Sequence, residues 1–419
     1  MIQKFILTNG LKVIIEPIPT VRSIAIGIWV GNGSRHETVS NNGISHFIEH
    51  MLFKGTKNRS AREIAEAFDS IGGIINAFTS KEYTCYYTKL LDEHVEMGIS
   101  LLSDMFFNSK FDQQELDMEK NVVLEEIKMN EDAPDDQIHD LIANVSFKGD
   151  SLGFPILGSE TVLNSLTRDD IVNFVKNKYT VNNSVITLAG NTPDNIIELI
   201  ETYFEPFGNY GPENNIGNVN FNFGEMIKTK QTEQAHLAIA LPGLAISDPN
   251  IYSLILLNNI IGGTMSSRLF QEIREKRGLA YSVFSYHSSY RDTGLFTIYA
   301  GTAPKQVNEV VDIINNTLLD IKNSGINQNE ITKAKEQLKG SLMLSLESTN
   351  NRMNRLGKNE LLIGKHLTLD EIITKINNVN YQSILEITDK LFSYPYSFSM
   401  ISPLEQTPNS LRRDVLVSN

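Results

Sequence analysis

His46, Glu49 and His50 stand within five residues of one another, in the run His46-Phe47-Ile48-Glu49-His50. Residues four apart on a helix share one face, a turn apart, so both imidazoles can reach one ion. Glu49 is three residues from His46 and next to His50, and its carboxylate can approach the same point. Zinc takes imidazole nitrogen readily and lowers the pKa of a bound water toward ~7. A carboxylate beside such a water can accept its proton as the oxygen attacks a carbonyl, and can pass it to a leaving amine. The neighbours Ile44, Phe47, Ile48, Met51, Leu52 and Phe53 are apolar. A helix apolar on nearly every side is buried, and burying ionisable groups without partners is expensive. A metal satisfies all three groups at once. The plainer alternative is a pair of hydrogen-bonded core histidines beside a surface glutamate.

A catalytic zinc usually has three protein ligands. The helix that starts at Asp112 offers Glu115, Glu119, Glu125 and Glu126. Glu119 and Glu126 are seven apart, two turns, and lie on one face. Glu125 is rotated about 100° from Glu126. One of Glu119 and Glu126 can be the third ligand while the other supports it. An acidic helix face turned to solvent is the alternative.

Local signals indicate the elements that must position these groups. Asn9-Gly10 between the β-rich runs 5–7 and 12–15 predicts a hairpin, and residues 24–30 read as a buried strand. Residues 44–54, stopped by Gly55, predict the short buried helix that carries the histidines. Ser60-Ala61-Arg62-Glu63 is a capping box that opens the next helix. Residues 74–90 read as two strands or one bent strand. Val95, Ile99, Leu102 and Phe106 recur at helical spacing, and the helix from Asp112 is expected to run to about Asn130.

The same order returns later in the chain. Residues 24–31 resemble 237–243, and 44–54 resemble 251–261. Residues 62–72 match 268–278, and the helices at 93–107 and 113–130 match 305–322 and 328–346. The expected fold is α+β with two similarly folded domains, each a mostly antiparallel sheet packed with helices. The expected bounds are a zinc-binding domain at 1–212, a linker at 213–228 and a second domain at 229–419. That second domain contains no His-x-x-Glu-His.

With these motifs in view, the chain resembles the M16 family of inverzincin peptidases, which holds pitrilysin, insulin-degrading enzyme and mitochondrial processing peptidase. Its layout is similar to the short two-domain bacterial members. The resemblance rests on Gly43-Ile44-Ser45-His46-Phe47-Ile48-Glu49-His50-Met51, on Asn76-Ala77-Phe78-Thr79, on Val123-Leu124-Glu125-Glu126-Ile127, and on Arg274 with Gly278-Leu279-Ala280-Tyr281. It implies that His46, His50 and Glu126 bind Zn2+, that Glu49 is the general base, and that Glu119 is a second acidic residue needed for full activity. It implies that Asn76, Ala77, Phe78 and Thr79 lie on an edge strand to which an extended peptide substrate adds. Arg274 and Tyr281 would contact the substrate carbonyl. The resemblance also implies a homodimer that encloses a chamber, in which Arg274 and Tyr281 serve the partner chain's zinc. A non-catalytic scaffold subunit of the same family is the rival reading, and such members typically lose part of the zinc motif. A zinc hydrolase acting on non-peptide amides is a further alternative.

Composition narrows the setting. The chain has 419 residues, 41% hydrophobic and 21% charged, which suits a globular protein with a sizeable core. Its net charge is −13 and it shows no basic tract, so nucleic acid is not an expected partner. The acidic balance weakly favours basic peptides as substrates. Cys85 is the single cysteine, which fits a reducing compartment. No stretch approaches the ~18 apolar residues of a membrane span, so the expectation is a cytoplasmic protein with no membrane insertion.

Overall fold

Asn9-Gly10 closes a hairpin between β1 (Gln3–Ile6) and β2 (Lys12–Pro17), with Gly10 at φ +86°. These strands open the first of two sheets in the computed structural model. The structure describes residues 2–208, 210, 211, 217, 219–405 and 407–417. The first sheet continues with β3 (Ser23–Val30), β4 (Ile74–Thr79), β5 (Thr84–Leu91) and β6 (Ser184–Gly190), in the order β1-β2-β6-β3-β5-β4. The second holds β7 (Glu225–Thr229), β8 (Ala235–Pro242), β9 (Ala280–Ser289), β10 (Gly294–Thr302) and β11 (Ser397–Ser402), in the order β7-β11-β8-β10-β9.

The two sheets repeat one topology. β2 runs parallel to β6, and β7 parallel to β11; every other pairing is antiparallel. Removing β1 makes the two orders superimposable, with β4 and β9 as equivalent edges. The fold is α+β and duplicated. Residues 225–228 of the expected linker lie in β7. Its residues 213–216 and 218 lie outside the described residues.

Helices cover the inner face of the first sheet: α1 (Ile44–Met51), α2 (Ala61–Ser70), α3 (Val95–Asn108) and α4 (Gln113–Asp132). Ser60 caps α2 by the box read from the sequence, its hydroxyl accepting from Glu63 N–H. The outer faces are covered differently. Two compact units form, one from 1–129, 154–217 and 344–366, the other from 130–153, 218–343 and 367–419. Each unit thus takes a segment from the other half of the chain. Helix Thr349–Leu362 packs on β2, β3 and β6, against Ile14, Trp29, Cys85 and Val185. Helix α5 (Pro134–Ser146) packs on β7, β8 and β11, where Ile138 and Ile142 meet Ala238, Ala240 and Ile401.

Charge fixes the borrowed helix Thr349–Leu362 as well. Glu360 is buried and takes Lys4 at 2.7 Å, Lys12 at 3.5 Å and His366 at 3.0 Å. Burial works against its charge, but the His366 hydrogen bond and the two lysines outweigh it and hold its carboxyl at about 2, below the ordinary 4.5. A depressed folded-state pKa adds stability that is present above pH 4.5 and lost as pH falls through about 2. With the half-exposed lysines screened by water, the contribution is about 2–3 kcal/mol. Glu360→Gln is therefore expected to lower Tm at pH 7, with the gap to wild type closing between pH 4.5 and 2. A gap that stayed constant across that window in thermal melts would contradict the assignment.

Among the described residues, no helix is long and apolar enough to cross a membrane.

Candidate active site

Helix α1 begins at Gly43, whose φ of +99° lies in the region glycine tolerates. A Cβ there would stand 2.7 Å from the Leu157 carbonyl oxygen, so close approach also demands glycine. Gly43 has no side chain to cap the helix, and Glu37 supplies the missing acceptor. Its buried carboxylate takes Gly43 N–H and Asn42 Nδ2 on Oε2, and Ser45 N–H on Oε1, each at 2.8 Å. A carboxylate at a helix N-terminus satisfies its free N–H groups and complements its dipole. No sequence signal pointed to Glu37, because it reaches the helix from a loop.

The helix is shorter than the expected 44–54. After Met51 the chain tightens into i→i−3 bonds, Phe53 N–H to His50 O at 3.1 Å and Lys54 N–H to Met51 O at 3.2 Å. Such bonds satisfy terminal carbonyls. The turn brings the Lys54 ammonium onto Glu119 Oε2.

Helix α4 faces α1 with Leu116, Glu119, Val123 and Ile127 buried, at helical spacing. Asp112 caps it, its Oδ1 accepting Gln114 N–H at 2.9 Å. The two acidic candidates then part company. Glu119 Oε1 accepts from His50 Nδ1 at 2.8 Å, and its other oxygen is held by Lys54. Glu126 Oε2 lies 3.6 Å from His46 Nε2 and 3.5 Å from His50 Nε2, and the two Nε2 atoms are 3.3 Å apart.

Those three separations test whether a metal fits. Corners of a tetrahedron around zinc, with ligands at ~2.0–2.2 Å, lie roughly 3.3–3.6 Å apart. His46, His50 and Glu126 are the sole such donor group among the described residues. His46 and His50 side chains are 9% and 23% exposed and Glu126 is 42% exposed, so the cluster has one open side.

Protonation favours ligation at His46. Burial, helped by His50, lowers the His46 pKa to about 3, so its imidazole is neutral. Neutral imidazole is the ligating form. His46 Nδ1 has no hydrogen-bond partner among the described residues. For His50, burial opposes the charge, but the hydrogen bond and charge of Glu119, with Glu126 and Glu49, raise its pKa. With Nδ1 donating to Glu119, Nε2 is the nitrogen left to an ion when the ring is neutral. Glu119 stays below the usual carboxylate range, since His50 and Lys54 outweigh its burial. Burial raises Glu49, opposed by the Thr79 hydroxyl that donates to its Oε2 and by His50, and Glu126 raises it further.

The other expected residues separate by unit. Asn76, Ala77, Phe78 and Thr79 lie on β4, an edge of the first sheet. Thr79 meets Glu49. Phe78 instead packs edge-on to Trp29 with centroids 5.6 Å apart, so it supports the sheet's outer core. Ala77 N–H donates to the Asn76 side-chain oxygen at 2.8 Å. In the second unit, Arg274 lies in a π-helical segment, Phe270–Glu275, and Tyr281 on the edge strand β9. The Arg274 guanidinium stacks 4.7 Å from the Tyr281 ring and 4.8 Å from Phe270. Tyr281 is 77% exposed.

Comparison with known proteins finds relatives along the whole chain. Residues 12–160 match the model of insulinase (peptidase family M16), and residues 165–338 match the peptidase M16 inactive domain. The chain is 52% identical to the uncharacterized zinc protease YmxG of Bacillus subtilis, over 98% of this chain and all of that protein. It is 39% identical to an uncharacterized zinc protease of Streptomyces coelicolor, over 99% of this chain and 92% of the other. Among solved structures, a protease from Helicobacter pylori matches 96% of this chain and 99% of its own, with a TM-score of 0.88 and 22% identity. A chain of complex III2 from Candida albicans matches 99% of each chain, with a TM-score of 0.87 and 22% identity.

Proposed function

The chain belongs to peptidase family M16, and on that premise we propose that it is a zinc-dependent endopeptidase cleaving extended, unstructured peptides, with a bias toward basic ones. The observation that carries this reading is the 3.3–3.6 Å triangle of His46 Nε2, His50 Nε2 and Glu126 Oε2. The fold alone would not carry it, because a chain of complex III2 has the same fold.

When bound, zinc supplies Lewis acidity that polarises the scissile carbonyl and makes nearby water more acidic. The remaining work belongs to side chains. His46 and His50 would hold the ion through their Nε2 atoms, and Glu126 through a carboxylate oxygen. Glu49 takes the proton of the attacking water on the oxygen that Thr79 does not hold, and delivers it to the leaving amine. Burial raises the basicity of Glu49, and the Thr79 hydrogen bond orients its carboxylate. The free edge of β4 offers backbone N–H and C=O groups to an added substrate strand. The net charge of −13 favours cationic peptides. We assign the stacked Arg274 and Tyr281 to the substrate carbonyl, acting within a homodimer.

The test is cleavage of an unstructured basic peptide by purified protein. Chelation is expected to abolish cleavage and stoichiometric zinc to restore it. Cleavage that persists in protein stripped of metal would sink the reading.

A further inference from the structure

Glu119 is buried, and both of its oxygens are engaged by donors on the α1 side: Oε1 by His50 Nδ1 at 2.8 Å and Oε2 by the Lys54 ammonium. His50 and Lys54 are four residues apart, and the i→i−3 turn after Met51 places Lys54 against the carboxylate. Among the described residues, Lys54 pairs with neither the three-donor triangle nor Glu49. Its ion-pair partner among the described residues is Glu119.

We propose that Lys54 is a positioning residue that sets zinc affinity through Glu119: it holds one carboxylate oxygen so that the other faces His50 Nδ1 and keeps His50 Nε2 turned to the metal. The physical grounds are geometric. A carboxylate with one partner can rotate about its Cγ–Cδ bond and present either oxygen to solvent or to the metal. Gripped at both oxygens it has one orientation, and the imidazole it accepts from inherits that orientation. Hydrogen-bonded carboxylates behind metal-bound histidines fix the ring's tautomer and direction, and losing one typically weakens metal binding about 10–100-fold. Lys54 acts one contact further out, so about 10-fold is expected. Holding both oxygens also keeps Glu119 from replacing Glu126 as a ligand. The inference rests on the zinc site of the proposed function.

The experiment measures zinc dissociation constants of the full chain by competition with a chromophoric chelator. The variants are Lys54→Met, Lys54→Arg, Glu119→Gln and the double variant Lys54→Met/Glu119→Gln, each with the Tm of its metal-free form. Lys54 is about a third exposed, so the single variants are expected to fold. Lys54→Met is expected to weaken zinc binding about 10-fold, and Lys54→Arg to bind within about 3-fold of wild type. In the Glu119→Gln background, the Lys54→Met change is expected to add less than about 2-fold, because its effect passes through that carboxylate. Wild-type affinity in Lys54→Met, or an undiminished loss in the Glu119→Gln background, overturns the proposal while leaving the zinc site standing. Wild-type protein that binds no zinc overturns the zinc site itself, and this inference with it.

Discussion

Glu49→Gln is expected to lower kcat for peptide cleavage by about 10³, with zinc content and Tm close to wild type. The replacement keeps the shape of the side chain and an oxygen that can accept the Thr79 hydroxyl, so the packing around residue 49 is kept. It removes the basic oxygen and nothing from the His46, His50 and Glu126 triangle. A thousandfold loss corresponds to about 4 kcal/mol of barrier, within the range for removing a positioned general base. The pH profile gives a second measurement. The Glu49 carboxyl is raised by burial, so wild-type kcat is expected to fall as pH drops through that raised value, because the protonated carboxyl cannot accept a proton. The variant is expected to lack this acid limb in its residual activity. If Glu49→Gln keeps more than a tenth of wild-type kcat while holding zinc, Glu49 is not the base.

The part of the site that follows from local spacing was legible in the sequence. His46, Glu49 and His50 sit on one helical turn, and a 3.6-residue period puts them together whatever surrounds them. Glu119 and Glu126 were legible as a pair on one face, but periodicity could not divide their roles. That division comes from Lys54 and His50 occupying both oxygens of Glu119. Lys54, four residues after His50, carried a usable spacing signal. Glu37 carried none, since a loop residue that caps a helix from outside leaves no periodic trace. The duplication was legible in element order, and the repeated strand pairing shows why: each half alternates the same buried strands and helices. Which sheet a helix covers was not legible. Periodicity reveals that Thr349–Leu362 and Pro134–Ser146 each have a face to bury, and it says nothing of which sheet buries it. Phe78 illustrates the same limit, sharing a strand with Thr79 yet packing on the other face of the sheet.

Gly357→Ala is expected to destabilise the first unit by about 3 kcal/mol or more, whereas Gly340→Ala stabilises its helix by up to about 1 kcal/mol. By intrinsic propensity both changes should help, since both glycines lie inside helices. Packing reverses the sign at one of them. A Cβ on Gly357 would lie 2.0 Å from Trp29 Cε2 and 2.3 Å from its Cδ2, whereas one on Gly340 would meet nothing within 4 Å. Trp29 has no room to yield. It is buried, its Nε1–H donates to Thr187 Oγ1 at 2.8 Å, and it lies among Phe78, Tyr83 and helix Thr349–Leu362. The helix crosses β3 closely at a second point too, where a Cβ on Gly27 would lie 2.5 Å from Met353 Sδ. Adding a methyl at Gly357 must therefore lift the helix from the sheet and expose Met353 and Leu356, both fully buried. Since native stability is about 5–15 kcal/mol, this one substitution removes a large share of it. Trp29 is the sole tryptophan, so its fluorescence reports this contact directly during a thermal melt. The expected result is an earlier Trp29 transition in Gly357→Ala, and an unchanged or later one in Gly340→Ala. Equal shifts of the same sign in both variants would mean that helix propensity, not the close crossing over Trp29, governs the site.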